Sequence, residues 1–234
     1  MSLRIALLHT GAVNIEPIGA AARAALPDAT VVNYLDDRIV ADLGDAERAA
    51  SVPGRIRDLV HAAKEGGADV VMLTCSSISE LAAPVSAETG VPVLRIDEAM
   101  ADAAVAAGDR IAVVATLPTT LRPTLGLLEE RAALAGRAPE FASEVVAGAF
   151  EAVASGDRAT HDRLVAAAIE RLAADADVVV LAQASMASAA QSAEVAVPVL
   201  TSVAPGIERL AETVRAGVRG ETAAGAGTTT EAGR

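Results

Sequence analysis

Ala68-Asp69-Val70-Val71-Met72-Leu73-Thr74-Cys75-Ser76-Ser77 and Ala176-Asp177-Val178-Val179-Val180-Leu181-Ala182-Gln183-Ala184-Ser185 are two copies of one pattern, 108 residues apart. Arg4-Ile5-Ala6-Leu7-Leu8-His9-Thr10 and Arg110-Ile111-Ala112-Val113-Val114-Ala115-Thr116 repeat at an offset of 106, as do Val91-Pro92-Val93-Leu94 and Val197-Pro198-Val199-Leu200. The chain therefore consists of two similar halves, expected to face each other across a cleft. At the matching place one half brings a thiol, Cys75, and the other an amide, Gln183.

Outward from these segments, short apolar runs alternate with longer stretches of helical period. The runs are Ile5–Leu8, Thr30–Tyr34, Val70–Leu73 and Val91–Leu94, then Ile111–Val114, Phe141–Val146, Val178–Leu181 and Val197–Leu200. Short, β-branched, nearly continuous runs suit strands buried on both faces of a parallel sheet. Between them Ile56, Leu59, Val60 and Ala63 recur at helical spacing, as do Leu164, Val165, Ala168, Ile169 and Leu172, and Ile207, Leu210, Ala211 and Val214. Gly108 reads as a helix stop and Thr160 as a helix N-cap. Strand–helix alternation eight times over defines an α/β protein. The reading is two pseudo-symmetric lobes, each a four-stranded parallel sheet flanked by helices. The first lobe takes residues 1–97 with 205–218 and the second 98–204. Residues 219–234, rich in Gly, Thr, Ala and Glu without periodicity, read as a flexible tail.

Composition narrows the function. The formal net charge is −12 with no basic stripe, and Tyr34, Phe141 and Phe150 are the aromatics, so nucleic acid is not an expected partner. One cysteine leaves no internal disulfide framework and fits a reducing compartment. The apolar start Ile5–Leu8 runs into His9 and does not read as a signal peptide. No run approaches the ~18 apolar residues of a membrane span. The expectation is a cytoplasmic protein without membrane contact.

In parallel α/β sheets ligands bind beyond the carboxyl ends of the strands. In this chain those segments are rich in hydroxyls. Cys75 follows one strand and opens the next helix, with Ser76 or Ser77 as the expected cap. A helix N-terminus favours a thiolate, whereas most free cysteines are small buried apolar residues; the hydroxyls on both sides tilt the reading toward function. Thr10, Thr74, Ser76, Ser77, Thr116, Thr119, Thr120 and Ser185 are candidate binders of a carboxylate, together with backbone N–H groups at helix starts; helix capping explains Ser and Thr at such places equally well. His9, directly after a strand, is a candidate acid or base, or else a hydrogen-bonded structural histidine. His61 and His161 read as solvated surface, and no pair of histidines has metal-ligand spacing. Asp36-Asp37 and Asp97-Glu98 follow strands and read mainly as capping or solvated acids. There is no Gly-rich phosphate loop and no nucleophilic-serine elbow.

Over nearly the whole chain, from Ile5 to about Val214, this pattern resembles the aspartate/glutamate/hydantoin racemase superfamily. Thr74-Cys75-Ser76-Ser77 resembles its first catalytic cysteine motif. Leu181-Ala182-Gln183-Ala184-Ser185-Met186 occupies the place of the second. His9-Thr10 sits where members place a substrate-contacting residue. The resemblance implies a cofactor-independent isomerase, without metal or pyridoxal phosphate, acting on a small carboxylate or amino-acid-like substrate, with Cys75 as thiolate base or nucleophile. Homo-oligomers are common in the family. Its racemases set one cysteine on each face of the α-carbon, and here the sequence departs: a primary amide has no useful proton-transfer chemistry near neutrality. Gln183 can instead donate hydrogen bonds to a developing enediolate, which leaves His9 as the candidate second acid or base. Two alternatives follow from other members. Arylmalonate decarboxylases keep one cysteine, on the opposite lobe, as proton donor, and in maleate isomerases the first-lobe cysteine adds to a double bond. A non-catalytic small-molecule binding protein is the reading outside enzymology.

Overall fold

The computed structural model describes residues 3–225. Eight strands, β1 (Arg4–His9), β2 (Thr30–Leu35), β3 (Val70–Leu73), β4 (Val93–Arg95), β5 (Arg110–Ala115), β6 (Glu140–Val145), β7 (Val178–Leu181) and β8 (Val199–Leu200), form two four-stranded sheets. The orders are β2-β1-β3-β4 and β6-β5-β7-β8, and every pairing is parallel. The architecture is that read from the repeat. β3 and β7 are buried at all four residues, as strands covered on both faces should be. β4 and β8 begin two residues later than their apolar runs. Pro92 and Pro198 have no N–H to give a ladder and contribute only carbonyls, accepting from the N–H groups of Val71 and Val179.

Helices fill both faces of each sheet. Ile207, Leu210 and Ala211 of the final helix, Val203–Gly225, pack with Ile5, Leu7, Met72 and Ile96, so the chain returns from the second sheet to the core of the first. Met100, Ala101, Ala104 and Val105 of helix Glu98–Ala107 pack under the second sheet with Ile111 and Val113. A four-member ion-pair network joins these helices. Arg209 reaches Glu98 at 3.3 Å and Asp102 at 3.0 Å, and Arg131 of helix Pro118–Leu134 reaches Asp102 at 2.5 Å and Glu98 at 3.6 Å.

The return helix starts hard against the first lobe. A Cβ on Gly206 would fall inside van der Waals contact of the Ile96 carbonyl. Gly206→Ala is therefore expected to lose about 1–3 kcal/mol of stability through overpacking against backbone that cannot rotate away; a thermal or urea unfolding midpoint equal to wild type would contradict this close approach.

Three local expectations change. Residues 219–225, read as tail, continue the final helix, and 226–234 lie outside the described residues. Helix Arg158–Ala173 is capped by Asp157, whose Oδ1 accepts from Thr160 N at 3.0 Å, so Thr160 is inside the helix. His161 is fully buried rather than solvated, with Nδ1 2.8 Å from Asp162 Oδ1.

Candidate functional site

Strand order 2-1-3-4 places a topological switch point between β1 and β3, where the connections leave in opposite directions and open a crevice at the strands' carboxyl ends. His9-Thr10 and Thr74-Cys75 are the residues there. The second lobe repeats this between β5 and β7, with Thr116 and Gln183. The two crevices meet in one cavity of about 870 Å³, lined from both lobes.

Cys75 and Gln183 have nearly the same backbone, φ −132°, ψ 123° and φ −135°, ψ 139°, and each precedes a short 3₁₀ helix. The hydrogen bonding follows the same pseudo-symmetry. In the first lobe the Thr10 hydroxyl stands near the Cys75 thiol, close enough to favour its charged form. In the second Gln183 Nε2 donates to Thr116 Oγ1 at 2.7 Å, and Thr116 N donates to Gln183 Oε1 at 2.7 Å. The Gln183 amide is thereby held at both ends by one residue of its own lobe, leaving one N–H for other acceptors.

The thiol rests protonated. Burial pushes the Cys75 pKa up, and the nearby Asp97 charge adds to this; the Thr10 hydroxyl and the N–H and hydroxyl of Ser77 pull it partly back. At this helix start, burial opposes the expected lowering of the thiol pKa. The following helix, Ser76–Leu81, is a 3₁₀ segment of six residues; Cys75, rather than Ser76 or Ser77, occupies the N-cap position, and it makes no side-chain cap hydrogen bond. Behind it, Ser79 Oγ donates to the Cys75 carbonyl at 3.2 Å and to buried Asp97 Oδ2 at 3.0 Å, fixing the segment to the end of β4.

His9 is fully buried and does not line the cavity. Its Nε2 lies 3.0 Å from Asn33 Oδ1 and its Nδ1 2.9 Å from Thr74 Oγ1, whose one hydroxyl hydrogen is shared between that nitrogen and the Leu8 carbonyl at 3.0 Å. Burial lowers its pKa, with Asn33 acting weakly the other way, so the ring stays neutral. With both nitrogens engaged and no face on the cavity, His9 is placed as a strut under Thr74 rather than as a second acid or base. The second lobe has Ala115 and Ala182 at the matching positions, so this buried polar chain exists on the thiol side alone. As pH falls below the ordinary histidine value of 6.5, the unfolded chain takes up a proton before buried His9 does. The stability present above that value is then lost toward the lower folded pKa. His9→Gln should flatten the fall in melting temperature between pH 7.5 and 5; an unchanged slope would contradict the buried neutral ring.

Of the other expected site residues, Thr10, Thr74, Ser76 and Ser77 line the cavity from the first lobe, and Thr119, Thr120, Gln183 and Ser185 from the second. Thr116 does not, because its polar groups serve Gln183. Ser77 Oγ and Thr120 Oγ1 stand 3.3 Å apart, a direct hydrogen bond between the lobes beside Cys75. Asp36 is held by Arg55, with Nε to Oδ2 at 2.8 Å, while Asp37 reaches the cavity. Sequence reasoning missed the walls: Val13, Val40 and Ala41 from the first lobe, and Phe150, Val153, Ala154 and Arg158 from the second. They come from short segments after β1, β2 and β6, whose place over the crevice is set by packing. Among the described residues no cluster of three or more His, Cys, Asp or Glu is arranged to hold a metal ion, and no helix is long and apolar enough to cross a membrane.

Residues 9–210 match the model of the Asp/Glu/hydantoin racemase family, and the chain belongs to it. No curated protein matches the sequence. Among solved structures the chain is similar to glutamate racemase from Bacillus anthracis, at 17% identity and TM-score 0.71 over 91% of this chain and 82% of that one. It is similar to allantoin racemase from Klebsiella pneumoniae, at 26% identity and TM-score 0.62 over 92% and 88%. It is also similar to an arylmalonate decarboxylase, at 22% identity and TM-score 0.54 over 89% and 92%.

Proposed function

We propose that this protein is a cofactor-independent isomerase that forms and quenches a carbanion beside the carboxylate of a small substrate, with Cys75 as its one proton carrier. The observation that carries this is the pairing across the cavity: a thiol on one side and, on the other, an amide tied to Thr116. Among the described lining residues the titratable side chains besides Cys75 are Asp37 and Arg158.

The chemistry balances with one thiol. Cys75 Sγ as thiolate takes the α-proton, and the C–H electron pair moves into the carboxylate to give a flat enediolate. Hydroxyls at the strand ends, the free N–H of Gln183 and the N-terminus of helix Pro118–Leu134 would receive the added charge. The S–H then returns a proton to carbon, and inversion follows when the flat intermediate has presented its other face to Cys75. Because burial raises the thiol, the thiolate fraction, and with it the rate of proton removal, should climb with pH into the alkaline range.

The resting thiol also favours a second reading, a lyase. There, loss of CO2 would leave the electron pair on carbon and Cys75 S–H would donate to it; the rate would fall as pH rises. An NMR screen of amino acids, hydroxy acids, dicarboxylates and hydantoins in D2O reads both, as deuterium at a stereocentre with the skeleton intact or as loss of CO2. Cys75 is the one cysteine of the chain, so iodoacetamide addresses it alone. Exchange or decarboxylation that survives complete alkylation would sink both readings.

A further inference from the structure

Resting on that reading of the site, we infer that the substrate is a monocarboxylate whose α-carbon carries an apolar substituent of branched-chain or aromatic size, not an acid with a second carboxylate. The cavity has two chemically distinct regions. One is the hydroxyl-rich floor around Cys75, built from the strand ends. The other is apolar lining contributed by both lobes, Val13, Val40 and Ala41 from one and Phe150, Val153 and Ala154 from the other. Val13 is 62% exposed and Phe150 36%, so two of the four large exposed apolar side chains among the described residues stand at this one cavity. Exposed apolar surface concentrated on a concavity is surface that a ligand covers.

Charge points the same way. The lining hydroxyls belong to the floor, so a distal carboxylate seated against the apolar lining would need a fixed cation there. Arg158 is the one cation among the described lining residues; it is exposed at the rim, and its Nη1 is engaged with the Ser185 carbonyl at 2.7 Å. Asp37, also on the lining, would repel a second acid. At about 870 Å³ the space has room for a ring beyond the reacting carbon and its carboxylate.

Calorimetric or NMR titration of the Cys75→Ser protein separates binding from turnover. Mandelate, phenylglycine and 2-hydroxyisovalerate should bind at least tenfold more tightly than malate, aspartate and glutamate, and Phe150→Ser should erase most of that preference. Equal or tighter binding of the dicarboxylates, or binding of neither set at millimolar concentration, overturns the inference. The wild-type protein in D2O keeps it distinct from the proposed reaction. Apolar acids that bind but neither exchange nor lose CO2 would refute the reaction and leave the substrate class standing; turnover confined to dicarboxylates would do the reverse.

Discussion

Cys75→Ala should abolish turnover, lowering kcat/KM by roughly 10²–10⁴-fold, the range for removing a positioned proton carrier. The size of the effect follows from isolation. His9 is buried beneath Thr74, away from the cavity, and the Gln183 amide cannot carry a proton, so no neighbouring group takes over. The fold should be untouched. Cys75 lies outside the strands and only partly buried at the edge of the first lobe's core, and Ala keeps the backbone carbonyl that accepts from Ile78 and Ser79, so the melting temperature is expected to stay near that of wild type. Wild-type activity in a folded Cys75→Ala protein would remove the thiol from the mechanism.

Gln183→Cys should change the reaction rather than weaken it. The backbone at Gln183 nearly superposes on that of Cys75, and Thr116 is placed toward it as Thr10 is toward the thiol. A cysteine there would project into the same cavity from the opposite lobe, with a hydroxyl ready to bond its sulfur. The variant is expected to gain proton delivery from the second face and to racemise at least tenfold faster than wild type, provided the substrate sits between the two switch points. Conversion to Ala should instead free Thr116 and weaken binding without adding a proton carrier. A Gln183→Cys protein whose stereochemical course and rate match wild type would mean that substrate does not lie between these positions.

The sheets and the place of the cleft were legible because duplication and β-branched runs are properties of local sequence. Val70–Leu73 and Val178–Leu181 are read to the residue. The repeat also identified Cys75 and Gln183 as counterparts, and their backbone angles agree. Less legible was anything decided by which way a side chain turns. His9 and Thr10 are adjacent after the same strand, yet strand alternation sends one into the interior toward Asn33 and the other toward the thiol. The burial of His161 has a signal in the sequence: Val165, Ala168 and Ile169 lie four, seven and eight residues on, along its own buried helix face. For Phe150 and Val153 there was no such signal, because the short helix Ala149–Ala154 overhangs the cavity only once both lobes are assembled. The thiol's state was unreadable for a related reason. A helix start promised a low pKa, but the balance is set by burial, which tertiary packing determines.

The central claim is that one thiol serves one side of the cavity, and the fate of label in D2O tests it most directly. For whichever acid the protein turns over, both recovered substrate and product are analysed at early conversion. With Cys75 as the single carrier, the α-proton it removes is exposed to exchange before it is returned, so deuterium should enter substrate and product pools together, at comparable rates. Deuterium confined to the product, with recovered substrate still carrying hydrogen, would reveal a second proton carrier on the opposite face and contradict the account.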